Sequence, residues 1–153
     1  MLTAHDLMTE DPKTIPMNAT LRRAIGLLQT LDVRHLPVVD EEGALVGMLS
    51  DRDVRGLAFP DVLGPSHIGT IQTALESPVS SVMSSDVISV DVEADAAEIV
   101  DLMLDHKIGA VPVLDADGSL VGIVSYMDIL REIPLDEGDS DEMATNRARP
   151  ASR

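Results

Sequence analysis

Behind Asn18 and Thr20, residue types that cap helix starts, the apolar positions Leu21, Ala24, Ile25 and Leu28 recur at helical spacing and predict an amphipathic helix. The pattern then tightens. "HLPVV" and "ALVGMLS" are nearly unbroken apolar runs separated by "DEEG", which predicts a β-hairpin with its glycine in the turn. A short amphipathic helix starting near Asp51 follows the hairpin, "KTIP" at 13–16 supplies a strand before the first helix, and "HDLM" reads as a short helical lead-in. Farther along, the same succession returns. The lead-in is "SSVM", the strand "VISV", and the helix carries Ala96, Ile99, Val100 and Met103 on one face. "AVPVL", "DADG" and "SLVGIVS" repeat the hairpin, and a closing helix starts near Tyr126. Each pass reads β-α-β-β-α.

A shift of 75 positions superimposes the two passes without a gap. Met8, Asp11, Ala19, Leu27, Pro37, Val38 and Asp40 recur as Met83, Asp86, Ala94, Leu102, Pro112, Val113 and Asp115. Gly43, Leu45, Val46, Gly47, Ser50 and Asp53 recur as Gly118, Leu120, Val121, Gly122, Ser125 and Asp128. One register held from residue 8 to residue 128 identifies an internal duplication. A unit of about 55 residues cannot cover its own sheet, so the two are expected to pack sheet to sheet as pseudo-twofold mates. The expected fold class is therefore α/β (α+β), with unit 1 at 1–57, a linker at 58–77 and unit 2 at 78–133. The linker reads as mostly loop, with a short helix at "TIQTALE". Residues 134–153 are polar and acidic and read as a mobile tail.

Composition narrows the function. The formal charge is −16, from 27 acidic and 11 basic residues, so nucleic acid and anionic membranes should be repelled. Phe59 and Tyr126 are the only aromatics, too few for a base-stacking platform. Such acidity suits either a salt-adapted cytoplasm or an ordinary soluble protein. There is no cysteine, hence no disulfide, thiolate metal site or cysteine nucleophile. The start, "MLTAHDLMTEDP", does not read as a signal peptide, and no apolar run approaches the ~20 residues of a membrane span; a cytoplasmic location is expected. His5, His35, His67 and His106 show no metal-ligand spacing, and Asp115-x-Asp117-Gly118 reads as a hairpin turn rather than a calcium loop. No catalytic motif is present, so no enzymatic activity, metal or required cofactor is expected.

The chemistry concentrates in "GMLSDRDV" (47–54) and "GIVSYMDI" (122–129), both Gly-x-x-Ser-x-x-Asp. Two readings of the Ser-x-x-Asp pairs stand side by side. As capping boxes, serine and aspartate satisfy each other's backbone amides at a helix start. As a binding site, the helix start favours phosphate, to which Ser50 can donate, and the Asp53 carboxylate can accept hydrogen bonds from a ligand. The glycines fit close-packed strand positions.

Two β-α-β-β-α units carrying "hPVh-D-x-x-G-x-h-h-G-h-h-S-x-x-D" resemble a pair of CBS domains, a Bateman module, over about residues 3–132. The resemblance implies a regulatory module that binds adenosine compounds such as AMP, ADP, ATP or S-adenosylmethionine between its units. It also implies a disk-like homodimer and a separately supplied enzyme or transporter as the regulated partner. In the site with Ser50 and Asp53, the adenine would lie against Met48, Ile108 and the stretch Pro78, Val79 and Ser80. In the site with Ser125 and Asp128, the corresponding residues are Ile123, Val33 and the stretch Leu2, Thr3 and Ala4. By the same resemblance, phosphate is held just before the second strand, where the first unit has Arg34 and His35 and the second has Gly109 and Ala110. Arg52 adds a further cation to the first site. An AMP-like ligand is therefore expected at Asp53, with a less phosphorylated compound or nothing at Asp128. The alternative is a dimerisation scaffold whose sites are vestigial.

Overall fold

A computed structural model describes residues 1–58 and 68–133. In the first half, strand β2 (Ile15–Pro16) leads to helix α2 (Leu21–Leu31). The hairpin β3 (His35–Val39) and β4 (Leu45–Ser50) follows, and α3 (Asp51–Ala58) closes the unit. Thr20 caps α2 by accepting the Arg23 amide at 3.2 Å, and Leu21, Ala24 and Leu28 form its buried face. The second half repeats the order with β5 (Val90–Asp91), α5 (Ala96–His106), β6 (Ala110–Leu114), β7 (Leu120–Ser125) and α6 (Tyr126–Glu132). Asp95 caps α5 through the Ala97 and Glu98 amides. Both hairpins turn on a left-handed glycine, Gly43 at φ 83° and Gly118 at φ 79°, where a Cβ would be strained. In each, the preceding aspartate, Asp40 or Asp115, accepts two turn amides.

The expected two-sheet α/β architecture is present, built with an exchange of first segments. The helical lead-in α1 (Ala4–Leu7) does not pack on the unit that follows it. Ala4 and Leu7 join Val90, Ile99, Val111, Val113 and Val124 in the core of the second half. The Ala4 amide donates to the Ala94 carbonyl at 2.7 Å, and β1 (Thr9–Glu10) pairs antiparallel with β7. The second lead-in, a 3-10 turn at Val79–Ser81, inserts Val79 into the first core beside Ile15, Leu36, Val38 and Leu49. There the Val79 amide meets the Ala19 carbonyl at 2.8 Å, and Ser84 bridges Met48 as Thr9 bridges Ile123. Each half thus completes the other's core. The sheets are β2-β3-β4 and β1-β7-β6-β5.

This exchange accounts for the repeated strand glycines. A Cβ on Gly47 would fall on the Met83 sulfur and 3.0 Å from the Ser84 carbonyl. One on Gly122 would fall on the Met8 sulfur. Leu36 and Val38 face the helices, so Pro37 points to the opposite side of its sheet, yet it is fully buried; Pro112 is its buried mate in β6. Burial on both faces is what sheet-to-sheet packing requires. In the linker, α4 (Ile68–Leu75) begins two residues earlier than the expected "TIQTALE" helix. The rest of the expected loop, 59–67, and the expected mobile tail, 134–153, lie outside the described residues.

Candidate functional site

The ends of β4 and β7 open into two crevices related by the repeat, of about 430 Å³ and 410 Å³. Each is closed by both halves. The first has Met48, Ser50, Asp51, Arg52 and Asp53 on one wall and Lys107, Ile108 and Gly109 on the other. The second has Ile123, Ser125, Tyr126, Met127 and Asp128 facing Asp32, Val33 and Arg34.

Both Ser-x-x-Asp segments form capping boxes. The Ser50 amide donates to Asp53 Oδ2 at 3.0 Å, and the Asp53 amide donates to Ser50 Oγ at 3.1 Å. The Ser125 amide donates to Asp128 Oδ2 at 2.8 Å, and the Asp128 amide returns to Ser125 Oγ at 3.4 Å. The second box carries two further bonds. The Ser125 hydroxyl donates to Asp128 Oδ2 at 3.0 Å, and Arg131 Nη1 donates to Asp128 Oδ1 at 3.3 Å. In the first half Gly56 stands where Arg131 would be. Among the described residues, no donor meets Asp53 Oδ1 and no acceptor takes the Ser50 hydroxyl proton. Capping and ligand binding are therefore compatible at Ser50 and Asp53, because the cap uses only one side of each group.

Most of the residues singled out in the sequence converge. Arg34, His35, Met48, Ser50, Arg52, Asp53, Ile108 and Gly109 line the first crevice. Val33, Ile123, Ser125 and Asp128 line the second. The lead-in stretches do not. Val79 is fully buried in the first core, Pro78 bridges Thr20, and the Ser80 amide is bonded to the Met17 carbonyl. Ala4 is fully buried in the second core, and Thr3 caps α1 and bridges Asp95. Their place on the walls is taken by residues just beyond them, Ser84, Asp86, Val87 and Ile88 in the first crevice and Thr9, Asp11, Pro12 and Lys13 in the second. The physical reason is the exchange: the lead-in is an anchor in the opposite core, and the chain reaches the crevice only after leaving it. Sequence reasoning also missed Tyr126, Lys107 and Arg55 as lining residues. Lys107 had a signal, since it aligns with Asp32 one position past the helix end, and both adopt left-handed C-cap conformations facing the crevices.

Charge divides the two sites. The first is lined by Arg34, Arg52, Arg55 and Lys107 against Asp51, Asp53 and Asp86. Arg55 is committed to Asp51 at 3.4 Å. The second has Lys13, Arg34 and Arg131 against Asp11, Asp32 and Asp128. His35 lies against the Gly109 backbone, with its imidazole 3.2 Å from where a Cβ would stand. Burial holds its pKa below the usual 6.5, and Arg34 adds to the effect while Asp53 and Asp51 oppose it. No metal-binding group of three or more His, Cys, Asp or Glu occurs among the described residues, and no helix among them is long and apolar enough to cross a membrane.

Comparisons with known proteins agree with this architecture. The family model for the CBS domain matches residues 4–58 and 79–135. A CBS domain-containing protein of Dictyostelium discoideum is 32% identical over 124 residues, covering 81% of this chain and 86% of that one. Of some larger curated relatives, inosine-5'-monophosphate dehydrogenases, the chain spans only about a quarter. Among solved structures, CBSX2 in complex with AMP superimposes with a TM-score of 0.70 at 28% identity, covering 86% of this chain and 95% of that one. The CBS domain pair of MJ0100, in complex with 5'-methylthioadenosine and S-adenosyl-L-methionine, gives 0.70 at 25% identity, covering 86% and 94%.

Proposed function

This chain belongs to the CBS-domain family as a pair of such domains, and on that premise we propose that it is a regulatory ligand sensor whose first crevice binds an AMP-like adenosine nucleotide. The observation that carries the reading is the half-used capping box: among the described residues nothing bonds Asp53 Oδ1 or takes the Ser50 hydroxyl proton, and Arg34, Arg52 and Lys107 line the same crevice. Asp53 accepts the ribose hydroxyls, and Ser50 and the cations meet the phosphate. Adenine lies between Met48 and Ile108. Charge-assisted hydrogen bonds of this kind contribute about 1.5–3 kcal/mol each, enough to offset the repulsion of a strongly acidic surface. The AMP bound by CBSX2 and the adenosyl compounds bound by MJ0100 support this ligand class.

The ligand acts by shifting the arrangement of the halves or of paired modules, by no more than its differential affinity for the two arrangements. The module works in the cytoplasm, has no catalysis of its own, and pairs with a second copy. Met127, Leu130 and Ile133, exposed along and just beyond α6, support pairing. The test is a thermal-shift screen with AMP, ADP, ATP, S-adenosylmethionine and NAD, followed by calorimetry of the best ligand and sedimentation with and without it. Stabilisation by an adenosine compound is expected. A chain that sediments as a dimer and responds to none of them is instead a scaffold with unused crevices.

A further inference from the structure

One hydrogen bond crosses between the halves on the wall that separates the crevices. Arg34 Nη1 donates to the Tyr126 hydroxyl at 2.9 Å, across 92 residues of sequence. Arg34 and Tyr126 each line both crevices. The repeat supplies no mirror image of this pair, because Gly109 aligns with Arg34 and Asp51 aligns with Tyr126. The two crevices therefore hold one such guanidinium between them, on an exposed side chain able to lean either way.

What remains when it leans is unequal. With Arg34 turned into the first crevice, the second keeps Lys13 and an Arg131 already engaged by Asp128, facing Asp11 and Asp32. With Arg34 turned into the second, the first still has Arg52 and Lys107 against Asp53 and Asp86, Asp51 being paired with Arg55. A phosphate in the first crevice thus recruits the shared cation and leaves the second crevice acidic, hostile to another phosphate and indifferent to a neutral nucleoside.

Resting on the reading of the first crevice given above, we propose that Arg34 is a phosphate-binding cation shared by both crevices. It makes the module hold one phosphorylated ligand, at Asp53, and one uncharged nucleoside, at Asp128. Tyr126 is a positioning residue in this arrangement, keeping the guanidinium on the dividing wall when the crevices are empty.

Calorimetry of the full chain with AMP and with adenosine tests this. Asp128→Ala identifies which binding step belongs to the second crevice. The gap in affinity between the first and second steps is expected to be about tenfold wider for AMP than for adenosine, the scale of one charge-assisted hydrogen bond. A second AMP step too weak to detect, beside a visible second adenosine step, is the same result at its limit. Arg34→Ala is expected to narrow the AMP gap about tenfold, leaving the part that Arg52 and Lys107 supply. Equal gaps in the wild type, or an AMP gap unchanged by Arg34→Ala, overturn the shared cation and leave the first-crevice reading standing. Absence of any AMP or adenosine step overturns both.

Discussion

Where the first crevice has Asp53 bonded at one carboxylate oxygen among the described residues and Lys107 at a helix end, the second has Asp128 bonded at both oxygens and Asp32 at the equivalent helix end. The deeper parts do not differ. Ser50 and Ser125 both accept the amide three residues on, Gly47 and Gly122 admit the equivalent methionines Met83 and Met8, and Pro37 and Pro112 are equally buried. After a duplication, positions that hold the fold resist change in both copies, because each loss costs stability. Rim positions are free to diverge, and here they line the two crevices with different charges. Breaking the rim and breaking the shared parts should therefore give different signatures.

The largest effect is expected from Asp53→Ala. It removes the ribose acceptor, and AMP affinity measured by calorimetry should fall about 10- to 100-fold. Asp128→Ala should leave the tighter AMP step within about threefold. Both variants lose a capping acid, about 1 kcal/mol of stability, and Asp128→Ala loses the Arg131 pair as well, so its thermal stability should fall somewhat further. The larger affinity loss in Asp53→Ala beside the larger stability loss in Asp128→Ala separates the binding role from the cap. Equal affinity losses would make the crevices equivalent and end the comparison.

Gly47→Ala and Gly122→Ala probe the common part. Each forces a Cβ into a methionine side chain and, at Gly47, toward the Ser84 carbonyl as well. Overpacking of this kind costs about 1–3 kcal/mol, and urea denaturation should report similar losses for the two variants. A loss confined to one half would show that the exchanged lead-ins do not contribute equally to the two cores.

Much of this was legible in the sequence, and the boundary of legibility has a physical cause. The helices, hairpins and capping boxes are local, so periodicity and turn chemistry reveal them, and the 75-residue offset makes each half a check on the other. The lead-in exchange is not local. "TAHDL" reads as a short helix wherever it packs, and nothing in its own pattern says that Ala4 seals a core whose other buried residues, Leu7 apart, begin at Val90. Hence the sequence puts the stretches 2–4 and 78–80 on crevice walls that the structure gives to Thr9, Asp11, Pro12 and Lys13 and to Ser84, Asp86, Val87 and Ile88. Likewise, the hydrogen bond between Arg34 and Tyr126 needs both halves in place before it exists.

A smaller effect should follow from exchanging Arg131 and Gly56. The Arg131–Asp128 pair is exposed on the arginine side, where ion pairs contribute about 0.2–1 kcal/mol. Arg131→Gly should free Asp128 Oδ1 and tighten the second adenosine step two- to fivefold, about that energy expressed as affinity. Gly56→Arg should weaken the AMP step at Asp53 by a similar factor. Unchanged affinities in both would mean that the guanidinium gives way to a ligand without measurable cost.

The smallest effect, a fraction of a proton, belongs to His35, which Ala110 replaces in the other half. Its pKa is held below 6.5 in the folded chain, chiefly by burial. As pH falls through 6.5 the unfolded chain therefore takes up the proton first, and stability present above that value is lost on acidification. Between about pH 7.5 and pH 5.5 the wild type should lose more thermal stability than His35→Gln, which has no such group. A bound phosphate reverses the local preference, because its negative charge favours the imidazolium that burial disfavours. AMP binding near pH 6 should then draw a proton onto the protein, whereas adenosine should not. The phosphate itself titrates near pH 6, so the informative quantity is wild-type uptake less that of His35→Gln, from calorimetry in two buffers of different ionisation enthalpy. A positive difference for AMP alone places the phosphate beside His35; no difference places it toward Arg52 and Lys107, beyond reach of the imidazole.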